Sequence, residues 1–388
     1  MRYLVIGAGR CGQAIAYDLA KFGYADEVRL YDADPLVAVE AQRRLYDLCP
    51  EMTSFPVTHG LPDMGRFDCV VSSAPYRFNA EFAQKAITAK TNFVDLGGNT
   101  GEVKRVLNYD ELAKQAGVTI VPDCGMAPGL VNIIASIGVE QVENAKHVKI
   151  VCGGLPVDPK GLFKYSMLFN VDGLINEYSG KAEILRKGKL IEVETLTECQ
   201  TFMGFRDMGP FECFVTSGGS SLAPQHFEGR LETYEYKTAR YYGHCAYLQP
   251  LKKCGFFDET KREFLTPEPH TLVAQVSPRD MLVRVLEDQF EPFDGRDFMI
   301  AQVEVTDKCG YGIRYQLLDH HHVGTGFSAM ERTTGFPTGL IALMAAKKQL
   351  PFGVFTPEML KLDARFFDNL DRRGIEIRAE NICMGSGS

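Results

Sequence analysis

The chain has 388 residues, of which 45% are hydrophobic and 24% are charged, so it is a globular protein with room for two or three domains. Its net charge of -8 argues against a nucleic-acid or an anionic membrane partner, since an acidic surface repels both. The chain has no apolar run of the roughly 18 residues that a membrane-spanning helix needs.

Strands and helices alternate with short connections from the N-terminus to about residue 125. An apolar strand at residues 3–6 leads into the glycine-rich segment 7–12, after which apolar residues recur at helical spacing. Further strands are predicted within 27–34, 67–75, 91–98 and 117–125, and helices at 38–48, 80–89 and 109–116. This alternation is typical of a doubly wound parallel sheet.

The pattern changes after this region. Residues 145–334 carry longer segments of alternating polarity, which predict an antiparallel or mixed sheet with helices. A strong helix is predicted at 338–350, and a short amphipathic helix ends at Gly374. We therefore predict an α/β protein. The first domain is a doubly wound parallel Rossmann sheet formed by residues 1–125 and completed by 335–385. The second is an α+β domain, residues 126–334, which has a mixed or antiparallel sheet and binds the substrate.

The glycine-rich segment has the spacing of a dinucleotide-binding turn. Gly7 permits a tight turn, Gly9 lets the backbone approach a pyrophosphate, and Gly12 lets helix and strand pack closely. The pyrophosphate would lie on the N–H groups at the start of the following helix, to which Arg10 and Cys11 belong.

An acid follows the second strand at the position that contacts the ribose. Asp32 comes after the strand at the distance expected for accepting hydrogen bonds from the adenine-ribose hydroxyls. A 2'-phosphate would meet the charges of Asp32 and Asp34, and no arginine follows the strand directly. The sequence therefore favours NAD over NADP as the cofactor. The alternative, a glycine-rich turn without a ligand, leaves the placement of this acid unexplained.

The loop at residues 72–79 follows the strand at the switch point of this fold, where the nicotinamide binds. Ala74 and Pro75 are predicted to contact the cofactor, and Tyr76 is predicted to wall the substrate pocket. Gly97, after the next strand, is a further predicted cofactor contact. The alternative is an ordinary loop with a tyrosine packed on the surface.

Cysteine usage and the N-terminus indicate the compartment. The 11 cysteines are scattered without a C-x-x-C pair, which argues against a zinc ribbon or a disulfide framework. The N-terminal segment MRYLVIGAG has no signal-peptide pattern, so a cytoplasmic location is expected.

Eight motifs together resemble a known family. In chain order they are VIGAGRCGQAIAYDL, FVDLGGNTG, GVTIVPDCGMAPGLVN, VCGGLPVDPKG, TSGGSSL, EYKTARYYGH, RTTGFP and FGVFTPEML. The chain resembles the saccharopine dehydrogenase-like oxidoreductases over about residues 1–375, most closely their lysine 6-dehydrogenase branch. The segments GLFKY and DHHHVGTG depart from that branch, which leaves the preferred amine open.

The resemblance implies an activity and an assembly. The implied reaction is the NAD-dependent oxidative deamination of the ε-amino group of L-lysine, which releases ammonia and NADH. The product, 2-aminoadipate 6-semialdehyde, cyclises to piperideine-6-carboxylate. The resemblance also implies a homodimer formed through the second domain, and no metal.

Two other functions remain open. One is the formation of saccharopine or a carboxyspermidine-type product, which joins an amine to a carbonyl compound and needs extra cations for additional carboxylates. Arg77 and Arg206 could supply these cations. The other is a dinucleotide-binding protein without turnover, which would keep the glycine turn and Asp32 but would not need a substrate site.

Two acids end neighbouring strands. The resemblance, which includes the segment VDLGG, implies that Asp95 faces the reacting amine, at the carboxyl ends of the strands where ligands bind and where a carboxylate would stabilise an iminium. The alternative is a turn-capping aspartate that bonds the N–H groups of Gly97 and Gly98. Asp123 is predicted to shape the substrate pocket, with a structural turn as the alternative.

The segment KTARYYGH supplies candidates for the other end of the substrate. The Arg240 guanidinium could hold the α-carboxylate of lysine through two parallel hydrogen bonds. His244 could relay the proton, since its pKa permits it, and the family shares this pattern. Thr216 and Ser217 could bind the α-amino or carboxylate group. The alternatives are a surface ion pair, a buried core histidine and a simple hairpin, respectively.

The histidine run at 320–322 does not predict a metal site. Adjacent residues on a strand point to opposite faces, so only His320 and His322 could share a ligand, and no cysteine or carboxylate cluster accompanies them. Arg332 is interpreted as part of an interdomain ion pair rather than as a contact to phosphate or substrate.

Overall fold

The computed structural model describes residues 1–51, 54–58, 60–265, 272–290 and 293–383. The strands are β1 (Arg2–Ile6), β2 (Glu27–Tyr31), β3 (Val57–Thr58), β4 (Cys69–Ser72), β5 (Asn92–Asp95), β6 (Thr119–Val121), β7 (His147–Pro156), β8 (Lys181–Arg186), β9 (Lys189–Glu194), β10 (Gln200–Phe202), β11 (Phe211–Val215), β12 (Thr233–Arg240), β13 (Arg262–Leu265), β14 (Leu272–Val276), β15 (Asp297–Thr306), β16 (Tyr311–His320), β17 (Gly353–Val354) and β18 (Ile377–Cys383).

The helices are α1 (Arg10–Phe22), α2 (Pro35–Leu48), α3 (Asn79–Thr88), α4 (Thr100–Leu107), α5 (Asp110–Ala116), α6 (Leu130–Gln141), α7 (Val171–Tyr178), α8 (Ala223–His226), α9 (His244–Lys253), α10 (Pro278–Gln289), α11 (Ala329–Ala346) and α12 (Arg365–Asp371). Short 3₁₀ turns occur at Met64–Arg66, Tyr76–Phe78 and Pro357–Met359. Within the described residues, no helix is long and apolar enough to cross a membrane.

The first sheet is parallel throughout and has the strand order β17-β6-β5-β4-β1-β2-β3. The chain starts in the middle, at β1, builds outward through β2 and β3, and then returns to place β4 on the other side of β1. The predicted doubly wound sheet is confirmed. Its switch point, where a crevice opens at the carboxyl ends of the strands, lies between β1 and β4.

The second sheet is mixed, as predicted. Its main path is β10-β11-β12-β7-β15-β16-β18, and β8 and β9 branch from β12. The β12–β7 pair is parallel and the other pairs are antiparallel. The apolar core is continuous between the sheets through α6, whose residues are buried on nearly all sides because the helix is apolar around its whole circumference.

Helix α11 packs the C-terminal part of the chain onto the first sheet. Side chains at Gly335 and Gly339 would lie 2.8 Å from Ala14 and 2.4 Å from Asp18, so the two glycines let α11 contact α1 closely. The helix begins at Ala329, nine residues before the predicted start, because Ser328 and Glu331 form a capping box and Pro337 is accommodated inside the helix.

The C-terminal return divides between the sheets. Strand β17 joins the first sheet, whereas β18, within the predicted range 335–385, pairs with β16 in the second. Residues 384 and 385, at the end of that range, lie outside the described residues. The domain boundaries themselves stay a prediction.

Candidate functional site

The glycine turn after β1 has two glycines that the protein itself requires. Gly7 has a φ of +87°, and a Cβ there would lie 2.9 Å from the backbone of Ser73. A Cβ at Gly12 would lie 1.8 Å from the carbonyl oxygen of Gly7. The Ser73 Oγ donates a hydrogen bond of 2.7 Å to the same carbonyl, so the turn is tied to the loop after β4.

Gly9 differs from these two glycines, because no contact within the described protein requires a residue without a side chain there. Its φ is -67°, which any residue adopts, and no described atom lies within 4 Å of a Cβ built there. This missing side chain leaves open space in front of the first turn of α1. No described side chain caps the helix at Gly9, and the first turn carries no acid, so its N–H groups are free to bind an anion. These observations fit a pyrophosphate.

Asp32 lies at the end of β2, beside this turn. Its Oδ2 accepts a hydrogen bond of 2.8 Å from the N–H of Ala8, and its Oδ1 accepts one of 2.9 Å from the N–H of Asp34. The Asp34 carboxylate caps α2 by accepting from the N–H of Leu36. A partly exposed carboxylate at this place fits the ribose of a dinucleotide.

The side chain of Arg10, which follows Gly9, extends away from this space. Arg10 reaches the second domain, where Nε pairs with the Glu331 carboxylate, Nη1 donates to the carbonyl of Leu168 at 3.1 Å, and the guanidinium lies 4.3 Å from the centre of the Phe293 ring. Burial raises the pKa of the Cys11 thiol to about 11, so it stays protonated. Their backbone N–H groups remain the candidate cofactor contacts.

The loop after β4 places Ala74 and Pro75 next to Ser73, at the edge of the glycine turn. Tyr76 begins a 3₁₀ turn and packs over Gly98, since a Cβ at Gly98 would lie 3.4 Å from the tyrosine ring. Tyr76 lines a cleft with Gly97 that is too narrow to hold a water molecule.

Asp95 also faces this narrow cleft. The carboxylate is 1% exposed, and its Oδ1 accepts hydrogen bonds from the N–H groups of Gly97 at 2.7 Å and Asp123 at 3.3 Å. No described group bonds its Oδ2, and burial raises the pKa of Asp95 to about 7. Asp95 caps the turn through the N–H of Gly97 and does not line the larger cavity between the domains, and its role towards the amine stays a prediction.

Asp123 ties the two domains together. Its backbone has a φ of +64°, and Oδ2 accepts a hydrogen bond from the hydroxyl of Ser221. Its Oδ1 lies against Gly97, where a Cβ would be 1.8 Å away. Burial, together with the neighbouring Asp95 carboxyl, raises the pKa of Asp123 well above its ordinary value. Asp123 is structural in this geometry and does not line the interdomain cavity.

The interdomain cavity has a volume of about 180 Å³. Its lining includes Leu96, Gly98 and residues 125–128, which follow β5 and β6 of the first sheet. The second domain contributes residues 152–154 of β7, and three methionines line the cavity from different parts of the chain: Met126, Met299 and Met330. A crevice at the carboxyl ends of parallel strands is where open α/β sheets bind their ligands.

Arg240, at the end of β12, lines this cavity. Its Nε donates to the hydroxyl of Tyr178 at 3.0 Å, and Nη1 donates to the carbonyl of Ala239 at 3.0 Å. The guanidinium also lies 5.3 Å from the centre of the Tyr165 ring. It is 4% exposed, and Nη2 lies 3.6 Å from Oε2 of Glu177.

His244 lies behind Arg240 and not in the cavity. Its Nδ1 bonds the carbonyl of Phe163 at 2.9 Å, and its Nε2 bonds the hydroxyl of Tyr178 at 3.0 Å. Burial and the nearby Arg240 charge lower the pKa of His244 to about 3, so the ring is neutral. The geometry is that of the core-histidine alternative.

Thr216 and Ser217 form a second layer around the cavity. The Thr216 hydroxyl bonds that of Thr238 at 2.7 Å, and Thr238 lines the cavity. The Ser217 hydroxyl donates to the carbonyl of Glu177 at 3.1 Å at the end of α7. Neither residue lines the cavity itself, so both support residues that do.

Glu177 is a charged residue of the cavity that was not predicted from the sequence. Burial raises its pKa to about 7, although Arg240 opposes the shift. It lies at the end of a short helix and 63 positions before Arg240, and no local motif marks it. Tertiary structure alone brings the two together.

The remaining candidates lie elsewhere. Arg332 makes a buried two-bond ion pair with Asp319, at 2.8 and 3.1 Å. Arg77 lies over the ring of Phe78, and Arg206 lies 3.6 Å from Glu376. The ring of His322 bonds Thr325, and the described residues contain no cluster of three or more His, Cys, Asp or Glu that could hold a metal ion.

Two family models match the chain. The "Saccharopine dehydrogenase NADP binding domain" matches residues 3–121, and the "Saccharopine dehydrogenase C-terminal domain" matches residues 125–375. Together they include the residues that line the interdomain cavity and every strand of the two sheets except β18.

Curated relatives and a solved structure agree with these matches. An NADP⁺, L-glutamate-forming saccharopine dehydrogenase of Schizosaccharomyces pombe is 23% identical, over 81% of this chain and 84% of the relative. An alpha-aminoadipic semialdehyde synthase of Arabidopsis thaliana is 26% identical over 60% of this chain, but only 23% of that relative is covered. The apo L-Glu-forming saccharopine dehydrogenase of Saccharomyces cerevisiae has the same fold, with a TM-score of 0.75 and 18% identity over 98% of this chain and 100% of that one.

Proposed function

Since this chain belongs to the saccharopine dehydrogenase family of oxidoreductases, we propose that it removes the ε-amino group of L-lysine with NAD as the oxidant. Lysine, NAD⁺ and water give 2-aminoadipate 6-semialdehyde, ammonium, NADH and a proton. The C–N bond at the ε-carbon breaks after hydride loss, and the oxygen of water replaces the nitrogen. The semialdehyde then cyclises to piperideine-6-carboxylate.

This proposal rests on the charged residues that line the interdomain cavity. Arg240 is the only cation and Glu177 the only anion among the described residues that line it, and the others are apolar or hydroxyl-bearing. One guanidinium suits a substrate with one carboxylate and an apolar chain. Saccharopine also carries the carboxylates of a glutamate, for which the described lining offers no second cation.

The apolar lining also suits the chemistry at the ε-carbon. Hydride leaves this carbon only when the nitrogen is neutral, and the lysine ammonium has a pKa of about 10.4 in water. Transfer into a cavity lined by Met126, Met299 and Met330 disfavours the charged form and lowers that pKa. The cavity therefore favours the reactive amine without a dedicated base.

The glycine turn fits a nicotinamide dinucleotide, which would supply the hydride acceptor. The space in front of Gly9, the free N–H groups of α1 and the Asp32 carboxylate would hold its pyrophosphate and ribose. NAD is proposed rather than NADP because a 2'-phosphate would meet the carboxylates of Asp32 and Asp34 at the end of β2.

Saccharopine dehydrogenase activity is the second candidate, because the relatives are named for it and for NADP. Purified protein should be incubated with L-lysine and NAD⁺, and separately with saccharopine and NAD⁺ or NADP⁺, while reduced nucleotide is followed at 340 nm and ammonia is assayed. Ammonia with NADH from lysine supports the deaminase. Reduced nucleotide from saccharopine alone, with release of glutamate, assigns the second function.

We also propose that the protein is a homodimer formed by the second domain. The edge strand β10 is followed by the exposed Met203, and the exposed ring of Tyr242 bonds Thr201 of the same strand. Light scattering should give a mass twice that of the chain, and Met203→Lys should shift it towards the monomer. A monomeric wild-type protein contradicts the proposal.

A further inference from the structure

The carboxylate of Glu177 is available to a ligand. Glu177 lines the interdomain cavity, and its side chain is 33% exposed. Among the described residues, no group donates a hydrogen bond to either of its carboxylate oxygens, although its backbone carbonyl accepts from Ser217. The nearest charge is Nη2 of Arg240, at 3.6 Å from Oε2, which is longer than a hydrogen bond.

A structural ion pair in the same protein shows the contrast. Arg332 and Asp319 meet through two hydrogen bonds of 2.8 and 3.1 Å, which use both carboxylate oxygens. Arg240 and Glu177 are close enough to attract each other, yet each keeps unused hydrogen-bonding capacity on the cavity side. Arg240 uses only Nε and one Nη1 hydrogen for described partners, which leaves its Nη2 hydrogens for a ligand.

A guanidinium and a carboxylate held side by side match one small chemical group. The ammonium nitrogen and the carboxyl carbon of an α-amino acid share one carbon atom and lie about 2.5 Å apart. We propose that Arg240 and Glu177 together bind the zwitterionic head group of an α-amino acid, with Arg240 on the α-carboxylate and Glu177 on the α-ammonium. The cavity would therefore select α-amino acids over simple amines and simple carboxylates. This inference rests on the proposed function only in taking the cavity as the substrate site.

The length of the lysine side chain keeps the reacting ε-amine away from Glu177. An extended lysine side chain places its ε-nitrogen about 6 Å from the α-carbon, because five bonds lie between them. With the carboxylate on Arg240, the ε-nitrogen of the extended chain lies beyond the reach of Glu177, whose carboxylate is 3.6 Å from the guanidinium. Leu96 and residues 125–128, which follow β5 and β6 of the first sheet, also line the cavity and are the candidates to contact the ε-carbon.

The head-group site can be tested without turnover. Calorimetry should measure the binding of L-norleucine, which has the amino-acid head but no ε-amine, and of hexanoate, which lacks the α-amine. Glu177→Gln should weaken norleucine binding by about 10- to 100-fold, the value of one charged hydrogen bond, and should leave hexanoate binding unchanged or stronger. The matched control is Glu192→Gln, an exposed carboxylate on β9, which should change neither.

Two results would overturn the inference. One is unchanged norleucine binding in Glu177→Gln, and the other is an equal loss for norleucine and hexanoate. A parallel assay of L-lysine and 6-aminohexanoate with NAD⁺ reports on the proposed function separately. If the wild-type protein oxidises neither amine but Glu177→Gln loses norleucine selectively, the head-group site stands and the deaminase assignment fails.

Discussion

The hydroxyl of Tyr178 lies between Nε2 of His244 and Nε of Arg240, at 3.0 Å from each. The direction of these bonds follows from the partners. The carbonyl of Phe163 can only accept, so Nδ1 of the neutral His244 carries the ring proton and Nε2 must accept from Tyr178. The oxygen of Tyr178 is then left to accept from Arg240, so a buried histidine fixes the orientation of a guanidinium in the cavity.

Replacing Tyr178 with Phe should therefore weaken substrate binding more than it lowers the rate of the chemical step. The change removes the acceptor of Arg240 Nε, so we expect KM for lysine to rise about tenfold, with kcat changed less than about threefold. Tyr242→Phe, which removes an exposed hydroxyl on the same domain, is the control and should leave both constants unchanged. Equal losses in kcat and kcat/KM would show that Tyr178 acts on the reacting atoms instead.

His244 should not contribute an ionisation to the pH profile. Burial and Arg240 lower its pKa to about 3, so the ring is already neutral at pH 5 and stays so at pH 9. Steady-state rates of the wild type and of His244→Gln, measured from pH 5 to 9, should give profiles of the same shape at different heights. Loss of a titration between pH 6 and 7 in the variant would restore His244 as a proton carrier.

The binding of L-norleucine should depend on the ionisation of Glu177. Burial raises the pKa of Glu177 to about 7. The titratable groups around it are the Arg240 guanidinium and four neutral groups, the hydroxyls of Tyr165, Tyr178 and Tyr236 and the thiol of Cys152. The carboxylate becomes charged as the pH rises through this value, so affinity should increase between pH 6 and 8. Calorimetry at these pH values should show no such increase in Glu177→Gln.

Gly9 and Gly12 should respond in opposite ways to alanine. A Cβ at Gly9 meets no described atom and suits its φ, so Gly9→Ala should raise the free energy of unfolding by about 0.4–1 kcal/mol. The same methyl group fills the space in front of α1 and should weaken NAD binding by about tenfold or more, or about 1.4 kcal/mol. Gly12→Ala should destabilise the fold, because its Cβ would lie 1.8 Å from the Gly7 carbonyl oxygen. Thermal unfolding and NAD titration check both.

Asp95 should make the protein less stable as the pH rises. Its pKa is about 7 in the folded protein, whereas an unfolded aspartate has a pKa of about 3.9, so folding takes up a proton between these values. This contribution to stability is complete below pH 4 and is lost as the pH approaches 7. Asp95→Asn should show a weaker fall in the free energy of unfolding from pH 4 to 7, measured by urea denaturation. A variant with the same slope as the wild type would remove Asp95 as the cause.

The fold and the nucleotide turn were predictable because their signals are local. Gly7, Gly12 and Asp32 stand at fixed distances in one strand–turn–helix segment, and the strand–helix alternation around them gives the parallel sheet. The roles of Asp95 and His244 depend on which way a side chain points and how deeply it is buried. Spacing along the chain carries no information about either.

Glu177 shows most clearly which contacts could not be predicted from the sequence. It is 63 positions from Arg240, and the two meet only because α7 and the end of β12 pack against each other. The predicted start of α11 at residue 338 was also wrong, because the helix begins at Ala329 behind the Ser328–Glu331 capping box.

Arg10 connects the nucleotide turn of the first domain to the second domain. Its backbone belongs to the first turn of α1, next to Gly9, while its side chain holds Glu331, the carbonyl of Leu168 and the ring of Phe293. Widening the cleft between the domains must either break these contacts or shift the turn on which the nucleotide phosphates would rest. Opening of the cleft for an amine and the binding of a dinucleotide would thus be energetically linked through one arginine side chain.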